Sequence, residues 1–84
     1  MPPVALTLYS RPECHLCEAM KDALVPLACE LGCVLEQVDI SGDPDLERRF
    51  GQEIPVLFVN GRKAFKYRAT ERELRKRLLA GRGG

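Results

Sequence analysis

Eighty-four residues, 45% hydrophobic and 30% charged, suit one soluble globular domain over residues 1–84 and exclude a disordered chain. The net charge of +1 hides an uneven spread: nine Lys/Arg against two Glu from Arg62 onward, but four basic against ten acidic residues before it. No apolar run approaches the roughly 18 residues that span a bilayer, and Met1-Pro2-Pro3-Val4 lacks a signal peptide's basic start, so the expected setting is the cytoplasm with no membrane partner.

Val4 to Tyr9 reads as a first strand, apolar at nearly every position as a central strand covered on both faces should be. Arg11-Pro12 breaks it. Beyond the break stands Cys14-His15-Leu16-Cys17, and a helical period starts there. Leu16, Met20, Leu24, Leu27 and Leu31 recur at three and four residues and build one apolar stripe. Pro26 falls inside this helix and should kink it, and Gly32 should close it in a left-handed conformation. Val34 to Ile40 reads as a second strand, with Val34, Val38 and Ile40 on one face and Leu35 on the other. A long helix between two strands favours a parallel, right-handed crossover.

Asp43-Pro44 opens a short helix whose apolar side is Leu46 and Phe50 and whose end is Gly51. After Ile54-Pro55 comes the apolar run Val56 to Val59, then Asn60-Gly61, a two-residue hairpin turn. Arg62 to Lys66 is the returning strand, polar as an edge strand should be. Thr70 and Glu73 form a capping box for the last helix, with Leu74 and Leu78 on its buried side, Leu79 beside them, Gly81 at its end and a fraying tail over residues 82–84. The order is β-α-β-α-β-β-α, an α/β protein with a mixed four-stranded sheet flanked by helices.

The chemistry centres on Cys14 and Cys17. Positions three apart on a helix share a side, so the two sulfurs are within reach of a disulfide. Cys14 at the helix start faces free N–H groups and the positive end of the dipole, which favours a thiolate, while Cys17 lies one turn in with a higher pKa. Arg11 is a candidate substrate-binding residue and can add positive charge beside the pair, and Glu13 opposes it. His15 is either a cation that tunes the thiolate or an exposed first-turn residue. Tyr9 is expected to pack at the end of the first strand. Pro55 is either an ordinary proline at a strand start or one that presents the Ile54 backbone to an extended substrate. In a reducing compartment four cysteines argue against two structural disulfides, and Cys29 and Cys33 are expected to pack as small hydrophobes. The basic last third is first a solvated helix face, second a surface for an acidic partner; no nucleic-acid motif accompanies it.

With these pieces placed, the chain resembles the glutaredoxin branch of the thioredoxin fold. The resemblance covers nearly all of residues 4–80. It is carried by Leu8-Tyr9-Ser10-Arg11-Pro12-Glu13-Cys14-x-x-Cys17, by Glu53-Ile54-Pro55-Val56-Leu57-Phe58-Val59-Asn60-Gly61, and by the element order. It looks most like the short glutaredoxin-like proteins with a Cys-His-Leu-Cys motif. The resemblance implies strand order 2-1-3-4, a cis peptide before Pro55, Cys14 as nucleophile and Cys17 as resolving thiol. It also favours the substrate-holding role for Ile54 and Pro55. Two departures stand out. His15 replaces the usual proline, and the Gly-Gly segment that binds glutathione in typical glutaredoxins is replaced by Lys66-Tyr67-Arg68-Ala69.

The function this implies is thiol–disulfide exchange on a protein or small-molecule disulfide, by a monomer with no bound cofactor. The reductant is glutathione or a reductase. Two other readings compete. One is zinc or an iron–sulfur cluster held through Cys14, with His15 and Cys17 as further zinc ligands, but the ligand set is short of four. The other is a non-catalytic module that binds through its basic C-terminal surface.

Overall fold

Successive residues of a strand face opposite sides of a sheet, so a strand apolar at both parities needs a cover on each face. The computed structural model, which describes residues 2–82, supplies both covers. Its elements are β1 (Ala5–Ser10), α1 (His15–Leu31), β2 (Val34–Asp39), α2 (Pro44–Phe50), β3 (Val56–Val59), β4 (Arg62–Lys66) and α3 (Glu71–Arg82). The sheet order is β2-β1-β3-β4. β2 runs parallel to β1, β3 antiparallel to β1, and β4 antiparallel to β3. This is the α/β architecture and strand order of the thioredoxin fold.

Val4, Leu6 and Leu8 meet Leu57 and Val59 on one face, under Met20, Leu24 and Leu27 of α1 and Leu74 and Leu78 of α3. Val56 of the opposite parity turns to the other face. There it joins Ile40 and Phe50, with Tyr9, Ile54 and Phe58 around them. Tyr9 therefore packs as expected, stacked on Phe50 at 4.5 Å and edge-on to Phe58 at 5.5 Å. The Ile54–Pro55 peptide is cis.

Local signals closed most elements where expected. Gly32 ends α1 at φ 68°, and the Cys33 amide reaches back to the Ala28 carbonyl at 2.8 Å. Asp43 caps α2 by accepting from the Asp45 and Leu46 amides. Asn60 and Gly61 both take positive φ, as a type I′ hairpin requires. Thr70 and Glu73 exchange the two hydrogen bonds of a capping box. α1 runs through Pro26 without ending.

Packing corrected several expectations. β2 stops at Asp39, so buried Ile40 lies beyond the strand. Leu79 is exposed on the outer side of α3. Gly81 does not stop α3, which continues to Arg82. The helix end packs against the hairpin there: a Cβ on Gly81 would make ordinary contact with Val59 Cγ1 and Asn60 Nδ2 at 3.4 Å. Asn60 Nδ2 donates to the Gly81 carbonyl at 3.3 Å. Cys29 is exposed rather than packed, whereas Cys33 does pack against the larger core cluster. Arg82 belongs to α3; the fraying expected of residues 83–84 lies outside the described residues.

Candidate active site

The register of the sheet gathers three loops at one end. Tyr9 pairs with Val56, and Val56 with Lys66. The segment leaving β1, the Ile54–Pro55 segment entering β3 and the segment leaving β4 are therefore level with one another. The Tyr67 amide donates to the Pro55 carbonyl at 2.9 Å and joins two of them. A strand that feeds a helix at its carboxyl end is where open α/β sheets place their sites.

The turn from β1 to α1 aims the first thiol. Glu13 takes φ 57°, an uncommon conformation for a residue with a side chain. Cys14 follows in an extended conformation as the N-cap of α1. Its Sγ accepts the Cys17 amide at 3.2 Å, the bond an Asp or Ser oxygen ordinarily takes at this position. Negative charge on Cys14 is thus met by a helix N-terminus. Cys14 is half-buried, while Cys17, one turn in, is 3% exposed. Burial pushes the Cys17 thiol up to about 11, helped by its bond with Cys14 and opposed by the Arg11 backbone amide. The outer sulfur is open to a reactant; the inner one is kept as a thiol behind it.

Arg11 is not free. Its Nε donates to Glu47 Oε1 at 2.9 Å and its Nη2 to Glu47 Oε2, a bidentate pair tying the β1–α1 turn to α2. The guanidinium holds the Glu47 carboxyl below its usual range, and Glu47 raises the Arg11 pKa in return. Glu47, 36 residues away, carried no local signal that reveals it as Arg11's partner. His15 is exposed in the first turn of α1. Ile54 packs against the smaller cluster, and among the described residues its backbone makes none of the loop or turn hydrogen bonds.

Next to His15, the residue that follows Cys14, lies a groove of about 530 Å³ between the first turns of α1 (His15, Leu16, Ala19) and the segment Tyr67 to Thr70. Tyr67 takes φ 69° here, with the Lys66 amine 5.5 Å from its ring centre. In the sequence this segment is marked only by the Gly-Gly pair it lacks. Among the described residues, no group of three His, Cys, Asp or Glu side chains is gathered to hold a metal ion. Also among them, no helix is long and apolar enough to cross a membrane.

Comparison with known proteins shows what the chain is similar to. The family model described as "Glutaredoxin-like domain (DUF836)" matches residues 5–79. The uncharacterized protein Rv0508 of Mycobacterium tuberculosis is 30% identical over 73 residues, covering 81% of this chain and 75% of that one. Protein XcR50 of X. campestris, solved by X-ray crystallography, is 36% identical with a TM-score of 0.75, covering 89% of this chain and 96% of that one. Protein Ne2328 of Nitrosomonas europaea, solved by NMR, is 30% identical with a TM-score of 0.76, over 93% and 94%. A thioredoxin of Halobacterium salinarum shares the fold at 20% identity and a TM-score of 0.67, over 92% of this chain and 73% of that one.

Proposed function

Because the chain belongs to the glutaredoxin-like (DUF836) family, we propose that it is a thiol–disulfide oxidoreductase working through Cys14 and Cys17. The observation that carries this reading is the pairing of a half-open Cys14 sulfur on the N-cap of α1 with a buried Cys17 thiol one turn behind it. Cys14 as thiolate attacks one sulfur of a substrate disulfide. A Cys14–substrate disulfide forms, and the other substrate sulfur leaves as a thiolate that takes up a proton. Cys17 then loses its proton and attacks Cys14 Sγ. The Cys14–Cys17 disulfide forms and the second substrate thiol is released. Two electrons have passed to the substrate, and a thiol reductant, glutathione or a reductase dithiol, returns them. The Ile54 backbone holds the substrate chain as an added strand. Arg11, fixed by Glu47, keeps positive charge beside both sulfurs, and His15 tunes the outer one.

The test uses a background with Cys29→Ser and Cys33→Ser, treated with dithionitrobenzoate. The remaining pair is expected to release two thionitrobenzoates per chain. Cys17→Ser releases one and retains the other as a mixed disulfide visible by mass. Cys14→Ser, in which an oxygen takes over the cap, is expected to stay folded and to lose rapid release and all reduction of hydroxyethyl disulfide. Undiminished reduction by Cys14→Ser would sink the proposal. Incubating the oxidised protein with glutathione, and separately with a reductase, identifies the donor; re-reduction by neither counts against the enzyme reading.

A further inference from the structure

The groove lined by His15 and Leu16 combines apolar surface with charge. Its lining combines Leu16, Ala19 and Ala69 with His15 and Arg68. The acid that reaches it, Glu73, has its carboxylate on the Thr70 amide at 2.9 Å. Beyond the groove, Arg72 and Lys76 follow one turn apart on the outer side of α3. They line a second depression of about 470 Å³ with Glu71, Arg75 and the exposed Leu79. Lys63 and Arg75 are neutralised by Glu53, Glu30 and Glu71; among the described residues, Arg68, Arg72 and Lys76 meet no carboxylate. Unpaired cations around apolar hollows invite a partner that brings both carboxylates and apolar side chains.

We infer that the groove and the outer side of α3 form a docking surface for an acidic segment of a protein substrate, lying next to the disulfide that Cys14 attacks. The size fits a polypeptide. From Thr70 to Leu79 the helix rises about 14 Å, the span of roughly four extended residues. One end of that span opens on the groove lined by His15, the residue after Cys14, and the other carries Lys76 and Leu79. Carboxylates of the segment pair with Arg68, Arg72 and Lys76, and its apolar side chains enter the two hollows. The inference rests on the oxidoreductase reading for the place of the disulfide, while the docking itself needs no redox step.

The probes are two fluorescent cysteine-free peptides, one alternating Glu and Leu, the other Lys and Leu. Fluorescence anisotropy with the full chain is expected to show the acidic peptide binding at least about tenfold more tightly. The preference should shrink as salt is added. Arg68→Ser combined with Arg72→Ser is expected to weaken acidic-peptide binding about tenfold while the circular dichroism spectrum stays native. Equal binding of both peptides by the unaltered protein overturns the inference whatever the variant does. So does tighter binding of polyuridylate or of phosphatidylserine vesicles, which would assign the surface to nucleic acid or membrane. A thionitrobenzoate mixed disulfide of the acidic peptide, extended by one cysteine, should also be reduced at least about tenfold faster than its basic counterpart; equal rates overturn the substrate role. Acidic-peptide binding without any disulfide reduction would sink the oxidoreductase reading and leave docking standing.

Discussion

Cys17 shows how one buried thiol couples chemistry to stability. Burial raises its pKa from the ordinary 9.0 to about 11. The protonated form is favoured in the fold, so the contribution is fully present below the unfolded thiol's value. It is lost as pH rises through the folded one. Urea titrations are therefore expected to show stability falling between pH 9.0 and about 11, by an amount on the order of 2 kcal/mol. Cys17→Ala, whatever its stability at neutral pH, should flatten that decline. An unchanged decline would place its source elsewhere, at half-buried Cys33, whose thiol burial also raises. Both cysteines of the pair were legible from a spacing of three. Glu47 was not, because its bond to Arg11 joins residues that only the fold brings together.

Elements were legible where their ends are written locally. A cap satisfies N–H groups within three residues of itself, so Asp43 and the Thr70–Glu73 box need no distant partner. Thr70→Ala removes the oxygen that accepts the Glu73 amide at 3.1 Å. It is expected to lower stability by about 1 kcal/mol, read as a drop in the urea midpoint with an unchanged slope. No drop would mean that Leu74 and Leu78 alone fix α3. Gly81 and Leu79 were misread for the opposite reason. Whether a glycine ends a helix, or an apolar side chain is covered, depends on what lies against it. Here that is a hairpin close to Gly81 and solvent beside Leu79.

At the scale of the whole molecule, ion pairs join elements remote in sequence. Glu47 links α2 to the β1–α1 turn, Glu53 links the start of β3 to Lys63 of β4, and Glu30 links α1 to Arg75 of α3. Each of these carboxyls is held below its usual range, chiefly by the hydrogen bond from its partner. A depressed folded value gives stability that is present above the unfolded glutamate pKa and lost as pH falls through the folded one. The urea midpoint should therefore fall below the ordinary glutamate range, and Glu30→Gln should make that fall shallower. A Glu30→Gln curve parallel to that of the unaltered protein would show the α1–α3 pair to be idle, the usual fate of an exposed pair.

The amino-acid sequence alone determined the order of elements, their caps, the α/β class and the Cys14–Cys17 pair, because periodicity, caps and Cys-x-x-Cys spacing all act within a few residues. It also determined the charge imbalance, but not where that imbalance points. Tertiary structure decided the rest. It aligned the ends of β1, β3 and β4, paired Arg11 with Glu47, exposed Cys29, and formed a groove from segments some fifty residues apart. The physical reason is the same in each case: burial, ion pairing and cavity shape are properties of surfaces brought together by the sheet, and no local stretch of chain contains both sides of them.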